Sequence, residues 1–300
     1  MKKMLIIGAS GLLGSRLMLR ASEGFDAVGT YNPAVDGKGY PSLLSLDISS
    51  KGEVDRLFEK IRPDRVILTA AVSDLEVCER NPELAKRINV DGPEYVANCC
   101  KRLGVKLLHI SSVYVFDGEK KGRYVEEDST NPLSVYAKTK LASEQAVSSI
   151  LTDCIIARLA VMYGWPPADV RDNFVTMTIN RLRAKQPMRL YNDQHTSPAL
   201  CDDIARALLA LSETDYNGIL NLSGPDCMSR FGCGKAVADI FGLDGSLISP
   251  VSLGSMSLPA RRPMNACLDV SKAERILNRN MVAFEDGIKI MKEHEGSLDK

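Results

Sequence analysis

Residues 4–14 of the chain read MLIIGASGLLG, the pattern from which the type of fold can be predicted. A short apolar strand over residues 4–7 runs directly into the turn G-x-x-G-x-x-G, and residues 15–21 have helical character. Strand, glycine turn and helix in this order are typical of a dinucleotide-binding unit, because the glycines let the backbone approach a pyrophosphate and the helix N-terminus attracts it. The residues that we predict to bind the cofactor in this turn are Gly8, Ser10, Gly11, Leu12, Leu13 and Gly14.

The chain beyond this unit alternates between short apolar strands and amphipathic helices. Such alternation predicts an α/β fold with a doubly wound parallel sheet, the Rossmann arrangement, in which ligands bind beyond the carboxyl ends of the strands. Asp47 would accept a hydrogen bond from an adenine amino group, and Asn89 would either contact the cofactor or bond to backbone in the core. The other residues near strand ends that we expect in the cofactor site are Thr30, Tyr31, Ile48, Ala70, Ala71 and Val72.

The end of the second predicted strand bears on the choice of cofactor. Dinucleotide folds usually carry an acid there for the ribose 2′-hydroxyl of NAD, or an arginine near the 2′-phosphate of NADP. This chain has Thr30-Tyr31-Asn32, which contains neither. Because no acid would repel the additional phosphate, we predict NADP as the cofactor, with NAD tolerated.

Composition excludes several classes of function. The 300 residues contain 38 Lys and Arg and 38 Asp and Glu, so no overall field attracts nucleic acid or an anionic membrane. No apolar run reaches the roughly 20 residues of a membrane span, and glycines interrupt the N-terminus too early for a signal peptide. The eight cysteines form no C-x-x-C pair and no metal-binding spacing with the histidines. We therefore expect reduced thiols, no metal site and a cytoplasmic location.

Residues 109–140 carry the candidate catalytic groups. The stretch HISSVYVFDG ends a buried strand at Ser112, and the later stretch YAKTK places Tyr136 and Lys140 four residues apart, hence on one face of a helix. A nearby ammonium favours a phenolate, so we predict that Lys140 lowers the pKa of Tyr136 towards the range of efficient proton transfer. Ser112 would hold a carbonyl oxygen in line with the phenol.

The second half of the sequence alternates less regularly. We assign residues 1–162 to the cofactor-binding domain, whose sheet we expect to be completed by residues 200–223. Most of residues 163–300 would form a smaller, interleaved α/β substrate domain. There the proline-bounded loop LPARRP at residues 258–263 presents Arg261 and Arg262, two guanidiniums that could hold a diphosphate. His195 is more readily interpreted as a surface histidine than as a substrate contact.

These motifs together resemble a known family. GASGLLG, SSVYVFDG and YAKTK are similar to the extended short-chain dehydrogenase/reductases. Further stretches, AAVSDLEVCERNPELAKRINVDG, DNFV and RRPMNACLD, resemble the dTDP-4-dehydrorhamnose reductase family nearly from end to end. The resemblance implies hydride transfer from NAD(P)H to the 4-keto group of a nucleotide-linked deoxysugar. It also implies that Ser112, Tyr136 and Lys140 form the catalytic triad and that Tyr136 and Lys140 contact the cofactor as well. The substrate-site residues that we expect are Val113, Tyr114, Asn173, Phe174 and Arg262.

Two departures from the family pattern concern the substrate. Val113 stands where many reductases have an acid, and residues 158–164 read RLAVMYG where many have RTSWVYG. The particular sugar and base therefore stay open. Alternatives are a nucleotide-sugar epimerase or dehydratase of the same superfamily, and a non-catalytic regulatory subunit like the β subunit of methionine adenosyltransferase. The expected partner is a nucleotide sugar, and the sequence is compatible with a homodimer.

Overall fold

The structure, a computed structural model, describes residues 1–33, 40 and 42–296. Its strands are β1 (Lys2–Ile7), β2 (Phe25–Tyr31), β3 (Leu44–Ser45), β4 (Arg65–Leu68), β5 (Lys106–Ser112), β6 (Cys154–Leu159), β7 (Met162–Tyr163), β8 (Met188–Tyr191), β9 (His195–Thr196), β10 (Ala199–Leu200), β11 (Gly218–Leu222), β12 (Met228–Ser229), β13 (Ile248–Val251) and β14 (Asn265–Ala266). Its α-helices are α1 (Leu12–Ala21), α2 (Lys51–Ile61), α3 (Leu75–Arg80), α4 (Pro82–Lys86), α5 (Gly92–Leu103), α6 (Val135–Ile150), α7 (Phe174–Arg183), α8 (Cys201–Ser212), α9 (Arg230–Phe241), α10 (Ser271–Leu277) and α11 (Phe284–Glu293). A π-helical turn, Arg87–Asp91, joins α4 to α5.

Seven parallel strands form the central sheet, in the order β11-β6-β5-β4-β1-β2-β3. The chain moves outward from β1 in one direction to β3 and then in the other direction through β4, so the order reverses beside β1. This arrangement is the predicted doubly wound fold, and its reversal point is where ligands bind in such sheets. The predicted α/β Rossmann class is therefore confirmed.

Alternating side chains of the strands enter two hydrophobic layers. One face of β1 contributes Met4 and Ile6 to the layer under α1 and α8, and the other contributes Leu5 and Ile7 to the layer under α2 and α5. All four are fully buried. Burial on both faces explains why the strands read as continuous apolar runs.

A buried polar layer attaches α6 to the sheet. Glu144 of α6 forms a salt bridge with Arg158 of β6 at 2.7 Å, and both side chains are 3% exposed. Ser111 of β5 donates to the same carboxylate. His109, also in β5, bonds the hydroxyl of Ser143 at 2.8 Å. A buried charge without a partner is very unfavourable, so this layer restricts α6 to one position along the strands.

The region after β6 builds a separate apolar cluster around Tyr163, with which the rings of Phe174 and Phe284 pack. Short paired strands, β10 with β7, β12 and β14 with β9, and β13 with β8, surround it. In the same region the chain returns to the main sheet once, as β11 beside β6. The second half of the chain thus contributes both a separate apolar cluster and one strand of the main sheet. The domain boundary at residue 162 stays a prediction.

The expectation that all thiols are reduced is wrong for one pair. Cys227 and Cys267 form a disulfide between the segment before α9 and the segment after β14. Spacing rules did not detect it because the two residues are 40 positions apart and meet only in the folded chain. The six other cysteines are free and buried. Disulfides are rare in reducing compartments, so this bond does not favour the predicted cytoplasmic location.

Within residues 1–33, 40 and 42–296, no helix combines the length and apolar character that crossing a membrane requires. The same residues contain no group of three or more His, Cys, Asp or Glu side chains placed to hold a metal ion.

Candidate active site

A cleft with a volume of about 780 Å³ opens at the carboxyl ends of the central strands. This volume is in the range of small-molecule and cofactor sites. The predicted site residues that line it are Gly8, Ser10, Gly11, Leu12, Leu13, Gly14, Thr30, Tyr31, Ile48, Ala70, Ala71, Val72, Ser112, Val113, Tyr114, Tyr136, Lys140, Asn173, Phe174 and Arg262. Residues that are far apart in sequence therefore meet in one cavity.

The three glycines of the first turn are needed for different reasons. Gly8 has a positive φ of 95°, and a Cβ there would lie 2.7 Å from the Ala70 nitrogen. A Cβ on Gly14 would lie 2.1 Å from the Gly8 oxygen, so the fold itself requires this glycine. A Cβ on Gly11 would meet only the Gly8 oxygen, at an ordinary 3.6 Å. The protein leaves space at Gly11, which fits a ligand approaching the backbone there.

Two predicted cofactor residues do not line the cleft. Asp47 uses its Oδ1 atom to accept hydrogen bonds from the backbone and hydroxyl of Ser49, in the turn before α2. Asn89 is fully buried. Its amide accepts from the Val72 nitrogen at 2.8 Å and donates to the Val72 oxygen and to Thr139. Asn89 thus connects the cleft segment at Val72 to the helix that carries Thr139, which is the core role rather than the ligand role.

The three candidate catalytic residues converge. Ser112 ends β5, and its hydroxyl accepts from the Tyr114 nitrogen at 3.2 Å. Tyr136 and Lys140 lie one turn apart in α6, whose first turn is capped by Ser134 through a bond from the Ala137 nitrogen. Tyr136 is half-buried and Lys140 is buried. Both face the cleft in which Ser112 lies.

The predicted effect of Lys140 on the phenol is wrong for this cleft. Burial raises the pKa of Tyr136 to about 12, and a side-chain hydrogen bond with Ser112 opposes part of this rise. Burial also lowers the pKa of Lys140 to about 8, against the opposing charge of Glu144 one turn later. Withdrawal from water is therefore the largest influence on both groups, and Ser112, rather than Lys140, opposes it at the phenol. At neutral pH Tyr136 is a proton donor and Lys140 is largely cationic.

The cleft lining is strongly cationic. Among the described residues that line it, four carry a positive charge (Lys140, Arg171, Arg230 and Arg262) and one carries a carboxylate (Asp172). Arg262 is already engaged, since it pairs with Glu76 at 2.7 Å. The Nη1 atom of Arg230, in contrast, is buried without a hydrogen-bond partner. A guanidinium with a buried, unsatisfied nitrogen in the lining of a cavity is suited to an anionic ligand.

Sequence reasoning missed Arg230. Its guanidinium lies over the ring of Phe174, 4.4 Å from the centroid, and burial lowers its pKa. A signal was present, because Arg230 is the first residue of α9, where the helix dipole disfavours a cation unless an anion is near.

The remaining predicted substrate residues are placed as follows. Asn173 caps α7 with its oxygen and donates from its nitrogen to the Gly164 oxygen, so its amide supports the site from within. Tyr114 packs edge-on against Tyr136. Val113 is 2% exposed and lies mostly in the core. His195 and Arg261 are exposed.

A doubly wound parallel sheet, a glycine turn with space for a dinucleotide, and a Ser–Tyr–Lys set at the strand ends define the class of extended short-chain dehydrogenase/reductases. The sequence profile of the RmlD substrate binding domain matches residues 1–296. The chain thus belongs to this family, that of the dTDP-4-dehydrorhamnose reductases, as the sequence motifs predicted.

Individual relatives agree with this placement. The chain is 32% identical over 286 residues to a probable low-salt glycan biosynthesis reductase, Agl14, of Haloferax volcanii, covering 94% of this chain and 95% of the relative. It is 32% identical over 274 residues to dTDP-4-dehydrorhamnose reductase of Mycobacterium tuberculosis, covering 89% and 84%. It is also 29% identical over 295 residues to methionine adenosyltransferase 2 subunit beta of Bos taurus, covering 96% and 86%.

A solved structure is similar over the whole chain. The dTDP-4-dehydrorhamnose reductase of Bacillus anthracis in complex with NADP superposes with a TM-score of 0.88 at 25% identity, covering 98% of this chain and 99% of that one. The fold described above is therefore the fold of this family.

The open space at Gly11 gives a first prediction. Gly11→Val should weaken NADPH binding by at least tenfold, because the side chain would occupy the space left for the pyrophosphate. The free protein should lose only about 1 kcal/mol of unfolding free energy, the cost of a poorer helix cap. Fluorescence titration with NADPH and urea denaturation measure the two effects. Gly14→Ala is the contrasting variant and should destabilise the fold itself; normal NADPH binding by Gly11→Val would contradict the assignment.

The lowered pKa of Lys140 gives a second prediction. The ammonium is present below about pH 8 and is lost as pH rises through that value, whereas Tyr136 stays protonated up to about 12. Because kcat/KM reports groups of the free enzyme, its profile for ketone reduction should fall above about pH 8. A profile that is flat up to pH 10 would show that Lys140 does not control the rate.

Proposed function

We propose that this protein reduces the 4-keto group of a nucleotide-linked 6-deoxysugar, with NADPH as the preferred reductant. The observation that carries the proposal is the convergence of Ser112, Tyr136 and Lys140 in one cleft with the glycine turn and with Arg230, whose Nη1 atom has no hydrogen-bond partner. The names of the reductase relatives, and the NADP complex of one of them, support the same activity.

When bound along the glycine turn, NADPH supplies the hydride that reduces the carbonyl carbon. Ser112 holds the carbonyl oxygen by donating a hydrogen bond. Tyr136 then gives its proton to that oxygen as negative charge develops on it. A sugar alkoxide is far more basic than a phenolate, so the proton transfer is downhill even from a phenol with a pKa of about 12. The Lys140 ammonium stabilises the phenolate that remains.

Two arginines of the cleft lining are suited to the diphosphate of the substrate. Arg230 offers an unpaired Nη1 atom, and Arg262 lies in the same lining with one face committed to Glu76. A diphosphate can accept bidentate hydrogen bonds from guanidinium groups. In this arrangement Arg230 contributes the larger share of the binding free energy, since no salt bridge has to be broken first.

The sugar end of the cleft is less polar than the family pattern suggests. Val113 replaces an acid and is buried, and Ala160 and Val161 line the cleft where many reductases have serine and tryptophan. The described lining carries one carboxylate, Asp172, whose Oδ2 accepts from Asn180 at 3.0 Å. A dehydratase would need additional carboxylates beside the triad, so this lining favours reduction.

A second candidate is a regulatory role, favoured by the 29% identity to a methionine adenosyltransferase β subunit. A complex with a methionine adenosyltransferase, together with no NADPH oxidation on any keto-sugar, would establish it. The cytoplasmic location and the homodimer expected from the sequence remain predictions. Fractionation and analytical ultracentrifugation address them.

The test of the main proposal follows NADPH oxidation with a panel of nucleotide-linked 4-keto-6-deoxysugars. We expect turnover with at least one of them, and a higher kcat/KM for NADPH than for NADH. Tyr136→Phe should lower kcat by about 10²- to 10⁴-fold, the usual contribution of a general acid, while NADPH binding stays close to that of the unmodified protein. Turnover unaffected by Tyr136→Phe would remove Tyr136 as the proton donor.

Arg230 gives a separate prediction on substrate affinity. Arg230→Met keeps an unbranched apolar side chain beside Phe174 but removes the guanidinium and its charge. We expect the KM for the nucleotide sugar to rise about tenfold to a hundredfold, as for a lost hydrogen bond to a charged group, with a smaller change in kcat. Arg261→Met is the matched control, because Arg261 is exposed, and should leave KM unchanged. Equal KM values for the two variants would exclude Arg230 from the site.

A further inference from the structure

Helix α3 lies at the edge of the cleft, directly after the cleft segment at residues 70–73. Carboxylates of this helix and its cap each bind a different segment of the chain: Asp74 pairs with Arg171 at 2.9 Å, Glu76 pairs with Arg262 at 2.7 Å, and Glu79 accepts a hydrogen bond from the Val135 nitrogen at 2.8 Å. The first two contacts reach the substrate side of the cleft. The third reaches the catalytic helix.

The contact of Glu79 is made at a critical place in α6. Val135 is the first residue of this helix, so its N–H has no partner inside the helix. Ser134 already caps the same turn through the Ala137 nitrogen. Glu79 satisfies a second N–H group, from a residue 56 positions earlier in the chain. The bond therefore connects two separate elements and is not a local cap.

This bond bears directly on the reacting groups. Tyr136 follows Val135, and Lys140 lies one turn further along α6. A bond from a backbone N–H to a carboxylate is charge-assisted, and a negative charge at a helix N-terminus is favourable. The later part of α6 is held to the sheet by Glu144, so Glu79 and Glu144 secure the helix on either side of Lys140. Without Glu79, the N–H of Val135 would lose its acceptor, and the first turn of α6 would keep only the Ser134 cap at its N-terminus, the Asn89–Thr139 bond and the contact of Tyr136 with Tyr114.

We infer that Glu79 is a positioning residue for the reaction: from α3 it holds the first turn of α6 so that the Tyr136 hydroxyl stays in line with Ser112. The effect of Glu79 on kcat rests on the proposed reductase function. Glu76, on the same helix, holds the loop of Arg262 and therefore acts on substrate binding. Substitution of the two acids should therefore affect different kinetic parameters. Changes at Glu79 should lower kcat, and changes at Glu76 should raise the KM for the nucleotide sugar.

The experiment compares variants with the best keto-sugar and NADPH. Glu79→Ala should lower kcat about tenfold to a hundredfold, the cost of a misplaced reacting group, with KM for both substrates within about twofold. Glu79→Gln keeps an oxygen acceptor and should retain most of kcat. Glu76→Gln should raise the KM for the nucleotide sugar and leave kcat nearly unchanged. Glu83→Ala, an exposed glutamate on the adjacent α4, is the control and should match the unmodified protein.

Three results would overturn the inference: an unchanged kcat in Glu79→Ala, a rise in KM without a fall in kcat, or a loss in Glu79→Gln as large as in Glu79→Ala. Hydrogen exchange of residues 134–140 provides a readout without substrate and should be faster in Glu79→Ala. If the unmodified protein reduces no keto-sugar, the proposed function fails, and unchanged exchange would still reject the positioning role. Glu79→Asp, whose carboxylate is withdrawn by about 1.5 Å, replaces Glu79→Ala in both measurements if the alanine variant does not fold.

Discussion

The buried salt bridge between Glu144 and Arg158 is the interaction on which the geometry of the cleft depends. Glu144 also accepts from Ser111, the residue before Ser112, and it lies two turns after Tyr136 in the same helix. One contact therefore sets the position of the strand end relative to the helix that faces it. Separating such a pair costs about 3–5 kcal/mol, because a charge is left without a partner in the interior. The distance between Ser112 and Tyr136 is thus protected by a large penalty.

Charged residues of the cleft differ in how they are compensated. Burial raises the pKa of Tyr136 and lowers that of Lys140, with Ser112 and Glu144 opposing these shifts. The Nη1 atom of Arg230, in contrast, has no hydrogen-bond partner and is suited to an anion. Helix α3 contacts both the catalytic helix, through Glu79, and the loop of Arg262, through Glu76.

Much of this arrangement could be predicted from the sequence, where local patterns determine the outcome. The turn at Gly8–Gly14 and the four-residue spacing of Tyr136 and Lys140 specify strand, turn and helix within a few residues, and the parallel sheet brings their ends together. Features that depend on direction in space were missed. Asp47 lies in the expected strand-end segment, but its side chain turns to Ser49. Asn89 takes the core role, one of the two that the sequence allowed, and bonds to Val72.

The other misses have the same origin. Cys227 and Cys267 are joined only through the path of the chain after β11, which no spacing rule describes. The protonation of Tyr136 was misjudged because a sequence shows which groups are near one another, but not how much water surrounds them. Arg230 was overlooked since its importance lies in lacking a partner, and that can be recognised only when all its neighbours are known.

The protonation of Tyr136 has a consequence for the direction of the reaction. Oxidation of an alcohol would require the phenol to begin as a base, whereas burial raises the pKa of Tyr136 and disfavours the phenolate. The surroundings of Tyr136 therefore keep on its oxygen the proton that a ketone must receive. The same surroundings make this residue a donor first and an acceptor only after the proton has left.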